Sequence, residues 1–521
     1  MPLRRHITTI VWCALVTVIL AVRAHSMKIP ALMDGDPIVL VYADEYSVRT
    51  VDSVSIRELS GRVHLTHGNV TVYCDKATHY PVANLVILRG SVRILQGTMT
   101  MMMPRGEYDG TRSIATGYGG VRITDRSMLL RSPGGVYNST TAIVDFADGV
   151  CIEDDSLTIT SEHGRYERTT QESWAWGDVV IRNKKSAVVL TGDSAHNRPA
   201  DRYSRVSGNA VMQQTDSADH RQDVILDTLQ SASSSLPKKS PERKGRKRTN
   251  TLQPSITTTP QTAPTADSGA RRDAIVQRPM DTLTIRAQRM EAFRETGREW
   301  YDAQGEVEIV RGKLAATGST CRYKNLEEHF SLRGTPVVWA DSLALSADSV
   351  DLQFRRRQLT LVDAKGSAFL LMKDSTSGSR SQQIAAERIG IEVKDDTIRL
   401  VSGVRNASSL YFMEGDSGPS GVSRTACDSL FIVFTGGEAD TVVWRSGVTS
   451  EYYPENLIGG GVQQYYLPSY RDSGTRPKKA RLDSAFAKEA EIRQRCVSGI
   501  SRLTPGKKDE PPPDNVQPKK P

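Results

Sequence analysis

The stretch Gly90-Ser91-Val92-Arg93-Ile94 decides the fold, because its pattern returns with a period of about 29 residues through the first half of the chain. The first position of each unit is usually glycine, and it is occupied in turn by Gly61, Gly90, Gly119, Asp148 and Gly177. A catalytic site does not need five copies of itself. A stack of β-strands does, because each unit can bury its apolar face only against its neighbours.

Alternation within each unit predicts a strand with one apolar face. In Gly61-Arg62-Val63-His64-Leu65 and Gly177-Asp178-Val179-Val180-Ile181, every second residue after the glycine is aliphatic. Period-2 alternation places these residues on one side of a strand. The predicted inner row consists of Val63, Leu65, Val92, Ile94, Val121, Ile123, Val150, Ile152, Val179 and Ile181.

A tyrosine follows the same spacing. Tyr108, Tyr137 and Tyr166 are separated by the same interval as the glycines, and Tyr80 is one residue out of step with it. The pattern predicts that a second strand follows the first by about ten residues and that the tyrosine then lies in a turn or a third short strand.

The repeat resumes after a change of composition. Residues 216–280 are rich in Ser, Thr, Pro and Gln and contain a basic run from Lys238 to Arg248, which is typical of a disordered linker. Gly305-Glu306-Val307-Glu308-Ile309 then matches the first-half strand, and Gly334 follows it at the interval of the first-half glycines. A second element, Ala347-Asp348, resembles Ala43-Asp44 near the start. The chain is therefore predicted to be all-β, with two repetitive arrays.

These boundaries give five regions. Residues 1–26 are predicted to be a signal peptide, 27–215 the first array, 216–280 the linker, 281–470 the second array, and 471–521 a Lys- and Pro-rich tail that is mostly disordered. A short helix is predicted in the tail from Lys488 to Arg495.

The N-terminus has the pattern of a targeting signal. Arg4 and Arg5 precede an apolar run from Ile7 to Val22, which is short for a membrane span. The sequence leaves open whether this segment is cleaved or kept as an anchor.

Composition narrows the functional classes. The net charge of +8 is modest for 521 residues and lies partly in the linker and tail. The basic run suits a solvated linker better than a site for a polyanion, and nucleic acid is not expected as a partner of an exported protein. The six cysteines, one of them inside the signal, are far apart. They do not form a disulfide framework, although one disulfide is compatible with export.

No residue pattern points to catalysis or to a cofactor. His64 and His67 are three apart on one predicted strand, so their side chains point to opposite faces and suit a surface better than a metal site. The glycine-rich stretches Gly117–Gly120 and Gly459–Gly461 are not followed by a helical pattern, so they read as turns rather than phosphate loops. We expect no enzyme, no catalytic residue, no metal and no cofactor.

The repeating unit resembles the OstA-like family. The resemblance rests on Gly-x-Val-x-Ile, a polar strand, a tyrosine and the next Gly-x-Val, and on Ala43-Asp44 and Ala347-Asp348, which match the usual beginning of a unit. It extends over about residues 35–215 and 281–465, and two arrays with a long linker look most like members of the Bacteroidetes and Chlorobi type. The family includes LptA, LptC and the N-terminal domain of LptD. The sequence continues for under 60 residues after the second array, so we do not expect it to carry the large barrel of LptD-like members.

The resemblance implies a fold and a function. Family members form a β-jelly-roll folded into a V, whose apolar interior holds lipid acyl chains, and they join end to end through exposed strand edges. It therefore implies a periplasmic protein that binds lipopolysaccharide or a related lipid in lipopolysaccharide transport and outer-membrane assembly. Its implied partners are other Lpt-type β-jelly-roll proteins, including an LptD-like outer-membrane assembly protein. The ten residues of the inner row are then candidates for the lipid groove, and association with the outer or inner membrane is left open.

Two other functions remain from the residues alone. Plain core packing needs the same inner row, so a structural or adhesive β-solenoid without a lipid ligand is the alternative. A β-helical enzyme acting on polysaccharide ranks last, because no carboxylates or basic residues recur in register on one face.

Overall fold

The computed structural model describes residues 36–51, 54–215, 282–295, 297–373, 380–415, 418–458 and 461–498. The predicted signal peptide, the linker and the end of the tail lie outside the described residues. The described part is built almost wholly from antiparallel β-strands, which confirms the predicted all-β, jelly-roll-like fold.

The strands follow one another along the chain. The first fifteen are β1 Val39–Tyr42, β2 Glu45–Val51, β3 Val54–His67, β4 Val70–Tyr80, β5 Leu85–Gln96, β6 Met99–Asp109, β7 Ile114–Asp125, β8 Met128–Asn138, β9 Ile143–Ala147, β10 Val150–Glu153, β11 Leu157–Ser161, β12 His163–Glu167, β13 Glu172–Asn183, β14 Val188–Arg198 and β15 Tyr203–Gln214.

The second group comes after residue 281. Its strands are β16 Leu283–Glu295, β17 Arg298–Arg311, β18 Leu314–Lys324, β19 His329–Arg333, β20 Val337–Ala340, β21 Leu343–Ser346, β22 Ser349–Arg355, β23 Gln358–Lys373, β24 Ser381–Lys394, β25 Thr397–Gly415, β26 Gly418–Thr435, β27 Glu438–Arg445 and β28 Thr449–Pro454. Two 3₁₀ turns, Glu455–Leu457 and Val462–Tyr465, and one helix, α1 Asp483–Ser498, complete the described chain.

Each long strand that begins a repeat unit bends at its glycine, and the intervening strands bend at the facing position without one. In β5 the pairing with β6 shifts between Arg89 and Val92, where Gly90 and Ser91 have φ of +74° and +43°. A Cβ built on Gly90 would overlap the Asp75 carboxylate and lie 3.0 Å from the Asp75 Cβ. Only glycine combines this φ with the absence of a side chain, so the bend requires it.

The bend divides every strand into two halves, which we call leg one and leg two. In β5, residues 85–89 pair with 105–109 of β6 in leg one, and residues 92–96 pair with 99–103 in leg two. The short strands are the two halves of one bent strand. For example, β9 pairs with β8 and β12, whereas β10 pairs with β8 and β11. The corner that joins the legs is therefore a continuous ridge along the molecule.

The acidic residue of the Ala-Asp element lies at this corner. The amide N–H of Asp44 donates to the Gly61 carbonyl at 2.9 Å, and Asp348 donates to Gly366 at 2.9 Å. The two halves of the chain therefore use the same corner geometry.

The two predicted arrays form one continuous sheet. β15 pairs with β16 along its length, for example Val206 with Met290 and Met212 with Ile285. One buried apolar cluster accordingly runs from Ile38 to Ile432. The chain that connects these two strands lies outside the described residues, but its two ends meet at neighbouring strands.

The C-terminal segment returns along the outside of the sheet. The Leu467 amide donates to the Gln383 side chain at 3.0 Å, and Leu467 packs in a second apolar cluster with Trp339 and Phe412. The segment then reaches the Lys313 carbonyl through Arg476 and ends in α1 on the first array. The helix is longer than the predicted 488–495, and residues 471–482 before it are also described, a more ordered tail than expected. Within the described residues, no helix has the length and apolar character needed to cross a membrane.

Candidate functional site

All ten residues of the predicted inner row are buried. Each is at most 1% exposed, and all belong to the long apolar cluster. Fully burying one such aliphatic side chain contributes about 1.5–3 kcal/mol to folding. Their burial fits core packing and a lipid groove equally well, so the ligand role remains a prediction.

Strand pairing joins five of these ten residues into a row across leg two, namely Leu65, Ile94, Ile123, Ile152 and Ile181. Leu65 pairs with Val72, Val72 with Ile94, and Ile94 with Met101, all in direct register. The same register continues without a shift through both arrays: Ile123, Leu130, Ile152, Ile159, Ile181, Leu190, Met212, Ile285, Ile309, Ala316, Val338, Leu345, Leu370 and Ile384. The predicted groove residues include every second member of the row as far as Ile181 and none beyond it. The members between them lie on intervening strands, which lack the glycine that marks a unit.

The legs face each other across this row. A Cβ built on Gly117, in leg one of β7, would overlap Val121 and lie 3.2 Å from the Met101 side chain, both in leg two. The interior is thus a narrow apolar layer, which the side chains of the two legs fill in this structure.

The side of the interior opposite the corner, where the free ends of the two legs meet, is called the mouth. A row of buried polar side chains closes it. His67 Nδ1 lies 2.8 Å from the Tyr108 hydroxyl, and the Tyr166 hydroxyl donates to Asp125 at 3.3 Å. The Tyr137 hydroxyl donates to Gln96 in the same way. In each pair the tyrosine comes from leg one and its partner from the end of leg two, so these bonds hold the legs together.

Burial keeps these tyrosines neutral. It raises the pKa of Tyr108, Tyr137 and Tyr166, and the Asp125 carboxylate raises that of Tyr166 further. A neutral hydroxyl can donate to its partner at any physiological pH.

Arg168 clamps this mouth from the turn after β12. Its guanidinium donates to Asp125 at 3.2 Å, to the Tyr137 hydroxyl at 2.8 Å, and to the Gln96 carbonyl and side chain at 3.0 and 3.3 Å. Arg168 is 13% exposed and Asp125 only 1% exposed at the side chain. The guanidinium of Arg168 therefore joins the ends of β5 and β7 in leg two to the end of β8 in leg one.

The polar row continues into the second half of the chain. The Glu299 carboxylate accepts from Tyr301 at 2.6 Å, from Asn183 at 3.1 Å and from Asn325 at 2.6 Å. The Tyr323 hydroxyl donates to Gln214 at 2.9 Å. The mouth is closed on both sides of the β15–β16 junction.

Sequence reasoning placed the tyrosines in turns or third strands and did not identify their partners. Tyr108 and Tyr137 instead lie near the ends of β6 and β8. A signal was available, since the partners His67, Gln96 and Asp125 recur at the same interval as the tyrosines. Three different residue types at one position conceal that spacing.

The two ends of the array carry exposed apolar strands. Every described residue of β2 is exposed, with Tyr46 at 51% and Val48 at 54%. At the other end, β27 exposes Val442 and Trp444, each 38%. Among the described strands, β2 pairs with β3 alone and β27 with β26 alone, so one edge of each is open.

The two histidines occupy opposite faces, as predicted, but the expected surface position is wrong for His67, which is buried. His64 stacks on Tyr73 at 4.6 Å between ring centroids, whereas His67 lies inside the mouth. Within the described ranges, no three His, Cys, Asp or Glu side chains gather as a metal site would require.

Comparison with known proteins connects this architecture to a family. The profile of the family described as OstA-like protein matches residues 36–193. Among solved structures, the chain is similar to LptH, the LptA-homologous periplasmic component of the lipopolysaccharide transport device of Pseudomonas aeruginosa. That match has 13% identity and a TM-score of 0.22 and covers 27% of this chain and 95% of LptH. At this identity and TM-score it indicates neither fold nor function. No curated protein has a significant sequence match.

The family match lies on the first array and includes all ten inner-row residues, and the extension of the resemblance to 281–465 stays a prediction. Over residues 36–193, the chain matches the model of the OstA-like family.

Proposed function

We propose that the protein is a periplasmic component of lipopolysaccharide transport that holds the acyl chains of lipopolysaccharide or a related lipid between its two legs. The observation that carries the proposal is the single apolar row that runs in register through both arrays of an OstA-like chain. The proposed activity involves no covalent chemistry.

The driving force would be burial of acyl chains, at about 0.8 kcal/mol per CH₂. Because the interior is packed closed, lipid enters only when the legs separate. The corner is a covalent bend in every strand, whereas the mouth is held by side-chain hydrogen bonds. The legs therefore separate at the mouth, and the polar row forms the entrance.

A matched pair of tyrosines tests this location. Tyr108 is 1% exposed on the inner side of the mouth, and Tyr118 is 39% exposed on the same leg. We expect a benzophenone amino acid in place of Tyr108 to crosslink to purified lipopolysaccharide under ultraviolet light, while the same group in place of Tyr118 does not. Equal crosslinking at both positions would place the lipid on the surface and contradict the proposal.

Native lipid content provides a second test. We expect mass spectrometry of the protein purified from an outer-membrane-bearing host to find lipopolysaccharide or lipid A in stoichiometric amount. Ile123→Asp should abolish it, whereas Arg122→Asp, on the opposite face of the same strand, should retain it. Circular dichroism serves to check that both variants are folded. A lipid-free protein that also fails to take up added lipopolysaccharide would favour the structural solenoid.

We further propose that the open edges bridge to Lpt-type β-jelly-roll proteins. An exposed edge strand offers free N–H and C=O groups to a partner strand, and β2 and β27 present such edges at opposite ends. Val48→Lys introduces a charge into the exposed edge strand β2 and should abolish end-to-end association in analytical ultracentrifugation. Lysine in place of the exposed Val82, in the loop between β4 and β5, is the control and should leave association unchanged.

A further inference from the structure

The outward positions of the first array change character along its length. Between the two inner aliphatics of each unit stands a residue that points away from the core, and the five are His64, Arg93, Arg122, Cys151 and Val180. The first three are polar and partly or fully exposed, whereas Cys151 is 7% and Val180 1% exposed. Something therefore covers the outer face of the last two units only.

Helix α1 provides that cover. It contacts β8, β10, β11 and β13 from outside. Its buried residues Glu489, Ile492 and Cys496 fall at i, i+3 and i+7, on one face of the helix. Cys151, Ile492 and Cys496 form a small buried cluster separate from the main core.

Ion pairs fix the orientation of α1 about its own helix axis. Glu489 accepts two hydrogen bonds from Arg182, at 2.8 and 2.6 Å, with its carboxylate only 3% exposed. Two more pairs flank it: Lys488 with Asp178 at 2.8 Å, and Arg495 with Glu162 at 2.7 Å. These contacts set which residue of α1 faces Cys151.

The residue that faces Cys151 is Cys496. The two thiols are within hydrogen-bonding reach, and this contact together with burial raises the pKa of Cys496. The other described cysteines, Cys74, Cys321 and Cys427, belong to the long core cluster instead. Of the described cysteines, only Cys151 and Cys496 lie together in a cluster outside the main core, with Ile492 as its third member.

We propose that Cys151 and Cys496 form a disulfide that ties α1 to β10. The proposal rests on the proposed function for the oxidising compartment, since such bonds persist outside the cytosol. It closes a loop from residue 151 to residue 496 and thereby fixes the returning C-terminal segment across both arrays.

The bond forms by thiol–disulfide exchange. The thiolate of one cysteine attacks the disulfide of a thiol–disulfide oxidoreductase and gives a mixed disulfide, and the second thiolate displaces the enzyme. The two thiols lose two protons and two electrons, and the enzyme disulfide becomes a dithiol. Because docked α1 buries both thiols, exchange takes place before the helix docks or while it is transiently undocked.

Differential alkylation and peptide mapping test the bond. The full chain, isolated from the cell envelope and denatured in N-ethylmaleimide, should show two fewer alkylated thiols than after reduction. Trypsin should release the peptide 132–165 joined to the peptide 496–502, with a mass two hydrogen atoms below their sum. Cys496→Ala should abolish the joined peptide, and Cys321→Ala should leave it unchanged.

Oxidation in vitro separates geometry from compartment. Reduced, purified protein in a buffer of reduced and oxidised glutathione should form the same joined peptide without any envelope factor. Because docked α1 shields both thiols, the reduced protein is refolded from urea in this buffer. Failure to form the joined peptide once hydrogen exchange shows that α1 has docked again would overturn the proposal. A bond that forms in vitro but is absent from protein isolated from the envelope would overturn it as a native feature. The crosslinking of lipopolysaccharide at position 108 is scored separately, so neither result is confused with failure of the proposed function.

Discussion

Arg168→Met should strongly destabilise the first array. The substitution removes an ion pair to Asp125, which is 1% exposed, and hydrogen bonds to Tyr137 and to Gln96. Breaking a buried pair from one side costs about 3–5 kcal/mol, because the remaining charge stays buried. Thr98 still donates to Asp125 at 2.5 Å, so we expect the lower part of that range.

A neighbouring pair provides the matched control. Arg165, three residues earlier, bonds to Asp145 at 2.6 Å, but the side chains are 49% and 46% exposed. Exposed pairs contribute about 0–1 kcal/mol. Arg165→Met should therefore hardly change the free energy of unfolding, although the Arg165–Asp145 distance is shorter than the Arg168–Asp125 distance.

Urea unfolding followed by tryptophan fluorescence measures both variants, since Trp174 and Trp176 lie in β13 beside this region. A difference between them below about 1 kcal/mol would refute the view that the mouth is held by a buried charge. If the mouth is also the entrance, Arg168→Met should speed crosslinking of lipopolysaccharide at position 108.

Three further predictions concern the corner, the buried histidine and the helix. Gly90→Ala should lower the free energy of unfolding by about 2–4 kcal/mol through φ strain and overlap, whereas Gly97→Ala, with φ of +58° and its nearest neighbour at 3.9 Å, should lose only about 1 kcal/mol in the same urea titration. Burial, aided by a nearby arginine, lowers the pKa of His79 from 6.5 to about 4, so the unfolded chain binds the proton first and stability falls with falling pH. Between pH 7 and pH 5 the loss should be about 2 kcal/mol, and His79→Gln should remove that part of the pH dependence. Glu489→Gln should weaken α1 docking by about 1–3 kcal/mol, seen as faster hydrogen exchange in the helix with unchanged protection in β5; equal change in both would contradict it.

Local, periodic features of this fold were predictable from the sequence. The regular spacing of Gly61, Gly90 and Gly177 identified the repeating unit, and alternation around Val92 and Ile94 identified the buried face. Both signals come from residues that are neighbours in the chain, where backbone geometry alone sets the pattern.

Features that depend on distant residues were not predictable. The tyrosine partners lie 41 residues away in sequence, and α1 packs on strands more than 300 residues earlier. The pairing of β15 with β16 joins two strands that are separated in sequence by residues 216–280, where the repeat is absent. Cys151 and Val180 are apolar at outward positions that are polar in the earlier units. Nothing near them in the sequence showed what covers them.

The meeting of β15 and β16 has a consequence for how the gene can vary. Gln214 pairs with Leu283, so the chain between them starts and ends at adjacent strands. The entropy of closing such a loop changes by only about 0.6 kcal/mol for each doubling of its length. Insertions, deletions or even a proteolytic cut there leave every strand partner in place. Two separately expressed halves should therefore reassemble by complementation, and two intact copies can exchange halves to give a domain-swapped dimer.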